Sequence, residues 1–88
     1  MMPREAIAAA VVGAISRVME IPSTAIAEDA RLADDLGADS IALVQIADLV
    51  EDACDAHGGP ALRFDDAELA ALPTVGSAID YLARQGAP

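Results

Sequence analysis

One hydroxyl group, that of Ser40, lies where a side chain could take part in chemistry. It sits in the stretch LADDLGADSIALVQI (residues 32–46), where an acidic, glycine-containing turn gives way to an apolar run with helical spacing. A serine in this position could attack a substrate, cap a helix, or be modified by another enzyme. The residues around it bear on all three possibilities.

Ser40 lacks the neighbours that a catalytic nucleophile needs. A serine hydrolase requires a base for the hydroxyl proton and donors for an oxyanion, and its nucleophile elbow has glycines on both sides of the serine. Here Ile41 and Ala42 follow, and His57, the single histidine, lies about 25 Å away if the intervening helix is straight. A lone histidine without nearby ligands is also no metal site. We therefore expect neither a catalytic residue nor a bound metal, and a small hydrolase is a disfavoured alternative.

Capping and modification both fit the position of Ser40. Asp39 is predicted to be the N-cap of a helix, since its carboxylate can accept a backbone N–H of the first turn, and serine is itself a good cap. A helix N-terminus also favours an attached phosphate through its free N–H groups and its macrodipole. At the first helical position the hydroxyl would point outward, within reach of a transferase. Residue types alone leave the two uses open.

The apolar spacing predicts an all-α fold, a small bundle of three main helices and one short helix in a single domain over residues 1–88. Pro3 suits the first turn of the first helix, and no run alternates long enough to be a strand. The expected helices cover residues 4–19, Asp39 to about Asp55, a short piece around Asp65–Leu69, and a last helix starting near Pro73 or Thr74.

Each predicted helix has an apolar stripe that should face the core. The stripes are Ile7, Val11, Ile15 and Val18; then Leu43, Ile46, Ala47, Val50 and Cys54; then Val75, Ala78, Ile79 and Leu82. On the second helix the opposite face would hold Ala42, Gln45, Asp48 and Asp52, with Ile41 and Val44 near its edge. Residues 20–38 show no period, so we expect Ile26, Leu32 and Leu36 to pin this segment to the helices and Gly37 to allow a sharp bend.

The charge balance restricts the kinds of partner. The net charge is −10, with 15 acids against 5 arginines and no lysine. Such a field repels nucleic acid and anionic membranes and attracts basic protein surfaces. The apolar N-terminal stretch is too short to span a membrane, and the single cysteine fits a reducing compartment. We expect a cytoplasmic, monomeric protein, although the charge is also compatible with a role in solubility alone.

Two stretches together resemble a known family. AspAspLeuGlyAlaAspSer (34–40) is similar to the attachment motif of acyl carrier proteins, and ThrVal (74–75) with AlaIleAspTyrLeu (78–82) resembles that family's fourth helix. The resemblance covers nearly the whole chain. It implies a carrier without catalytic activity whose Ser40 bears 4′-phosphopantetheine, and it implies a phosphopantetheinyl transferase and acyl-loading and synthase enzymes with basic docking patches as partners.

The resemblance also implies two sets of binding residues. Docking would use the second helix, with Asp39, Ile41, Val44, Gln45, Asp48, Glu51 and Asp52 as candidates. An acyl chain could slide between the helices, where Leu43, Ile46, Val50 and Ile79 are candidate lining residues. Ordinary core packing is the favoured explanation of these last four, and the acyl pocket is the alternative.

The chain departs from the family pattern at the proposed docking surface. Ile41 stands where the family usually has leucine, and Ala42 and Gln45 stand where fatty-acid carriers usually have acids. This shift favours polyketide or other secondary metabolism over housekeeping fatty acid synthesis, with neutral drift of surface residues as the alternative.

The segment Asp55–Arg63 is longer than usual by roughly six residues, which a surface loop tolerates. An aminoacyl cargo, or an unmodified acidic adaptor binding a basic protein, remain the alternative functions.

Overall fold

The computed structural model describes residues 3–56 and 74–86, with side chains described in 3–53 and 74–84, and every regular element there is helical. The elements are α1 (Arg4–Met19), a 3₁₀ turn (Ser23–Ala25), α2 (Ser40–Ala56) and α3 (Val75–Gly86). The all-α prediction is confirmed, and α1 has the predicted bounds. The expected short helix at Asp65–Leu69, His57 and most of the Asp55–Arg63 loop lie outside the described residues. None of the described helices has the length and hydropathy of a bilayer-spanning segment.

Both ends of α1 are fixed by backbone geometry. Pro3 is the N-cap rather than a first-turn residue, and its carbonyl accepts the N–H groups of Ala6 and Ile7 at 3.0 and 3.1 Å. At the other end Glu20 adopts a left-handed conformation (φ 57°). The Ser16 hydroxyl then donates to the Ile21 carbonyl at 2.6 Å. The left-handed residue ends the helix before Pro22 is reached.

The core forms where the predicted stripes of the three helices meet. Ile7, Ile46, Val50, Ile79 and Leu82 are at most 1% exposed. Burying side chains of this size stabilises the fold by about 1.5–3 kcal/mol each. Of the predicted core residues Val18 and Leu36 are half-buried, and the side chain of Cys54 lies outside the description. The remaining buried residues are Val11, Ala14, Ile15, Ile26, Leu32, Ala38, Leu43, Ala47, Val75 and Ala78.

The first turn of α3 is held tightly by the α1–α2 connection. The N–H groups of Val75 and Gly76 donate to the carbonyls of Ala30 and Glu28, at 3.0 and 2.7 Å. A Cβ atom at Gly76 would lie 3.1 Å from that Glu28 oxygen, so the close approach favours glycine. Thr74 caps the helix by accepting the Ser77 N–H at 3.1 Å, which confirms one of the two predicted starts.

Arg4 links α1 to the same two segments through ionic hydrogen bonds. Its guanidinium donates to Glu28 Oε1 at 2.7 Å and to Asp80 Oδ1 at 2.9 Å. The hydrogen bond from Arg4 holds the pKa of the Glu28 carboxyl below its usual value, because it favours the charged form. This Arg4 clamp ties the start of α1 to the connection and to α3.

The helix directions place the start of α2 away from the Arg4 clamp. Arg17 and Val18, in the last turn of α1, border the same groove as Gln45. Ala10, nearer the start of α1, borders a groove with Ala53, nearer the end of α2. The two helices are therefore antiparallel, and α2 begins at the end of the bundle where α1 finishes.

Candidate functional site

A compact turn over residues 31–38 leads into the start of α2. The Arg31 N–H donates to Asp35 Oδ2 at 2.8 Å, and the Arg31 carbonyl accepts the N–H groups of Asp35 and Leu36. Gly37 has φ 72°, the left-handed region that glycine enters without steric cost, which confirms the predicted bend. Ala38 then donates to the Leu32 carbonyl at 2.9 Å, so the turn is closed before the helix begins.

Asp39 caps α2 as predicted. Its Oδ1 accepts the Ala42 N–H at 2.8 Å, and its carbonyl accepts the Leu43 N–H at 2.9 Å. Because the aspartate already occupies the N-cap position and accepts the Ala42 N–H, the Ser40 side chain is not needed as a cap. Ser40 is the first helical residue and is exposed. No hydrogen bond to its hydroxyl is found within the described residues.

An apolar surface lies directly beside the serine. Ile41 is 69% exposed and Val44 is 43% exposed, and they are the exposed large hydrophobic residues of the described part of the chain. Together with Ser40 and Gln45 they line a shallow groove of about 360 Å³. The two side chains thus form a small exposed apolar patch next to Ser40.

One detail of the predicted outer face is wrong, the placement of Ala42 on it. Ile41, expected near the edge of that face, is its most exposed apolar residue. Ala42 is half-buried and packs against the core, because it lies one turn before Ile46 on the same side of the helix. The first turn therefore presents Ile41, Val44 and Gln45 to solvent.

The acidic candidates lie on both sides of this apolar surface. Asp39, next to Ser40, is exposed, as are Asp48 and Asp52 further along α2, whereas Glu51 is half-buried. Within α2 itself the exposed surface is thus uncharged in the first turn and acidic afterwards. Among residues 3–56 and 74–86, no three His, Cys, Asp or Glu side chains are grouped so that they could hold a metal ion.

Two comparisons with known proteins identify the family. Residues 9–82 match the family model described as "Phosphopantetheine attachment site". The chain is also 38% identical over 85 residues to an acyl carrier protein of Thermotoga maritima, covering 97% of this chain and 98% of that protein. The chain belongs to the acyl carrier protein family.

Family membership settles the class of activity. Acyl carrier proteins are carriers without catalytic activity of their own, and 4′-phosphopantetheine is their prosthetic group. They work with a phosphopantetheinyl transferase and with synthase enzymes. Ser40 fits such a group, because it is exposed and borders an open groove in which a flexible chain has room to move.

The predicted acyl-pocket residues are brought together by the acyl carrier fold. Leu43 is 6% exposed, Ile46 is 1% exposed, and Val50 and Ile79 are completely buried. All four belong to one hydrophobic cluster shared by α1, α2 and α3. This placement is what core packing requires, and it is also where an inserted acyl chain would have to go.

A second groove contains residues that sequence reasoning did not single out. It has a volume of about 450 Å³ and lies between the end of α1 and the first half of α2. Arg17 borders it, and Val18 and Leu49 are its half-buried apolar residues. No pattern along the chain could have paired these residues, because the groove exists only once the two helices pack.

Proposed function

We propose that Ser40 carries 4′-phosphopantetheine as a phosphodiester and that the chain passes acyl groups between separate synthase enzymes. The observation that carries this proposal is the exposed Ser40 hydroxyl at the first position of α2, with Asp39 already capping the helix. The thiol of the bound group would hold the acyl cargo as a thioester. A tether of this kind raises the local concentration of the intermediate at each active site.

Attachment at Ser40 requires chemistry from a transferase. The Ser40 oxygen would form a bond to phosphorus as the pyrophosphate bond of coenzyme A breaks, and adenosine 3′,5′-bisphosphate would leave. The hydroxyl proton would go to a base of the transferase, and the Asp39 carboxylate would keep its capping bond to the Ala42 N–H. The carrier's contribution is to present the hydroxyl outward on a rigid helix.

The pathway is proposed from the first turn of α2. Ile41, Val44 and Gln45 form an exposed surface without charge, and within α2 the exposed acids begin at Asp48. A partner that fits this surface would make apolar contacts next to the serine and place its basic residues further along. This arrangement favours polyketide or related secondary metabolism over housekeeping fatty acid synthesis. We further propose that the protein works as a cytoplasmic monomer.

Attachment can be tested by mass. The purified chain is incubated with coenzyme A and a broad-specificity phosphopantetheinyl transferase and then weighed intact. Ser77→Ala is the matched control, because Ser77 is also near a helix start but is half-buried and bonded to Thr74. We expect wild type and Ser77→Ala to gain one group and Ser40→Ala to gain none.

Two results would contradict the attachment proposal. A gain on Ser40→Ala would move the attachment point elsewhere, and no gain on wild type would favour an unmodified adaptor. An amino acid rather than an acyl group found on the thiol of protein isolated from its cells would indicate an aminoacyl carrier.

The pathway proposal has its own test. Gln45→Glu supplies an acid in the first exposed turn, and Gln45→Ala is the neutral control. We expect a malonyl transferase of fatty acid synthesis, with its basic docking patch, to load Gln45→Glu faster than wild type and Gln45→Ala. Equal rates for all three would mean that charge at this position does not select the partner.

A further inference from the structure

We propose that the arm on Ser40 rests outside the bundle, in a path that crosses α2 and ends over the groove between α1 and α2 beside Arg17. This inference rests on the proposed attachment at Ser40. The path is defined by two adjoining grooves. The first is lined by Ser40, Ile41, Val44 and Gln45, and the second by Arg17, Val18, Glu20, Gln45, Asp48 and Leu49.

Gln45 joins the two grooves, because it lines both. From Ser40 to Leu49 the helix rises about 13.5 Å, at 1.5 Å per residue. The arm has about fourteen bonds between the Ser40 oxygen and its sulfur, the length of nearly five extended residues or about 16 Å. The sulfur can therefore reach the second groove.

From Ser40 outward, the side chains along the path suit the successive chemical groups of the arm. The branched dimethyl carbon near the phosphate would pack on Ile41 and Val44, which are otherwise left in solvent. The Gln45 amide can donate to and accept from the amides of the arm. The half-buried Val18 and Leu49 then offer an apolar floor to the thiol end. Ligand sites generally combine an apolar lining with a few placed polar groups in this way.

Arg17 supplies a donor at the far end of the path. Arg4 is bonded to Glu28 and Asp80, and Arg31 lies 3.6 Å from Asp34. Arg17 is exposed, and within the described residues it has no such bond. Its guanidinium can donate to a carbonyl oxygen of the arm or of the thioester. Glu20 and Asp48 flank it, so the groove suits a neutral amide or thioester better than a free anion.

The interior is a poorer resting place for the arm. Leu43, Ile46, Val50 and Ile79 are in close contact in the core, and an inserted chain would have to separate them. The outer grooves are already open. Because the path crosses Ile41 and Val44, a partner docking on those residues would displace the arm and free its cargo for reaction.

The resting place can be located with a paramagnetic label. The chain is loaded with a coenzyme A whose thiol already carries a nitroxide, which leaves Cys54 unlabelled. Amide signals are then compared before and after the nitroxide is reduced. We expect strong broadening at Val18, Gln45 and Leu49 and little at Asp80, at the far end of the bundle.

Arg17→Met tests the donor, because the methionine side chain has no N–H to donate, and Arg84→Met is the matched control on α3. We expect Arg17→Met to lower the ratio of groove-bound to free arm about fivefold, the effect of one lost hydrogen bond, and Arg84→Met to leave it unchanged. Broadening confined to residues next to Ser40, or strongest at Ile79, would overturn the groove proposal while leaving the attachment intact. Failure to load at all would overturn both proposals.

Discussion

The starts of α2 and α3 are both capped by a side chain, but one start is exposed and the other is buried. The caps are Asp39 for α2 and Thr74 for α3. The first residues of α3, Val75 and Gly76, are buried and hydrogen-bonded to the α1–α2 connection. Ser40 and Ile41, the first residues of α2, are exposed. A cap thus stabilises either helix start, and packing decides which one is available to other proteins.

The two serines near these helix starts show the consequence. Ser77 is half-buried and bonded to Thr74, while the Ser40 hydroxyl faces solvent at the other end of the bundle. The Arg4 clamp and the bonds to Glu28 and Ala30 all secure the α3 end. The end of the bundle that contains the start of α3 is therefore held by several bonds, and we call it the fastened end. The end that contains the start of α2 leaves Ser40 exposed, and we call it the open end. A carrier that must present a group to several enzymes requires such an exposed end.

The largest expected difference between the two ends is in stability. Ile79→Ala removes a completely buried side chain of α3 and should lower the free energy of unfolding by about 2–5 kcal/mol. Ile41→Ala removes a side chain that is 69% exposed and should change it by less than about 0.5 kcal/mol. Urea unfolding followed by circular dichroism measures both. Ile79→Val, at about 0.5–1.5 kcal/mol, gives a milder variant if Ile79→Ala does not fold. A comparable loss in Ile41→Ala would show that Ile41 is packed in solution.

Much of this contrast follows from the sequence, but not all. Helical spacing predicts the buried stripes, since a residue every three or four positions must share a face. The same spacing predicts that Ile41 is accessible for docking, but it places the residue only relative to its own helix and so cannot give how much of the side chain is exposed. The bonds from Val75 and Gly76 to the connection join residues more than forty positions apart, and no local rule pairs them. The motif around Ser40 is local, whereas Arg17 joins Gln45 only through tertiary packing.

The next largest effect concerns docking at the open end. If Asp48 and Asp52 meet basic residues of a partner, reversing both to lysine should slow loading by a phosphopantetheinyl transferase about tenfold or more at low salt. At high salt the difference should nearly vanish, because exposed charges are screened. Initial rates at both salt concentrations measure the effect.

The control for docking is Glu5→Lys with Asp29→Lys. These exposed acids lie near the Arg4 clamp, and their reversal changes the net charge equally. Equal slowing in both double variants would show that total charge, not the surface of α2, sets the rate.

A smaller effect is expected at the two caps. Thr74→Ala and Asp39→Ala should each lower the free energy of unfolding by about 1 kcal/mol, because each leaves a first-turn N–H without its acceptor. Asp39→Asn keeps an acceptor and should retain most of that stability. Urea midpoints measure all three. If Asp39→Asn is as unstable as Asp39→Ala, the charge of Asp39 rather than its hydrogen bond stabilises α2.

The smallest effect is the pH dependence of the fastened end. The hydrogen bond from Arg4 lowers the pKa of Glu28 in the folded chain, so the folded state binds its proton less readily than the unfolded state. The contribution of Glu28 to stability is therefore complete above the ordinary glutamate pKa of about 4.3 and is lost as the pH falls through the lower folded value. Wild type should have a higher urea midpoint than Glu28→Gln near neutral pH, and the two midpoints should converge in acid.

Asp29→Asn, a change at a neighbouring exposed acid, controls for the loss of one negative charge. A gap between the midpoints of wild type and Glu28→Gln that persists unchanged at the lowest pH would mean that the stabilisation by Glu28 does not depend on its ionised carboxylate. The ionic contribution of Glu28 to the Arg4 clamp would then have to be abandoned.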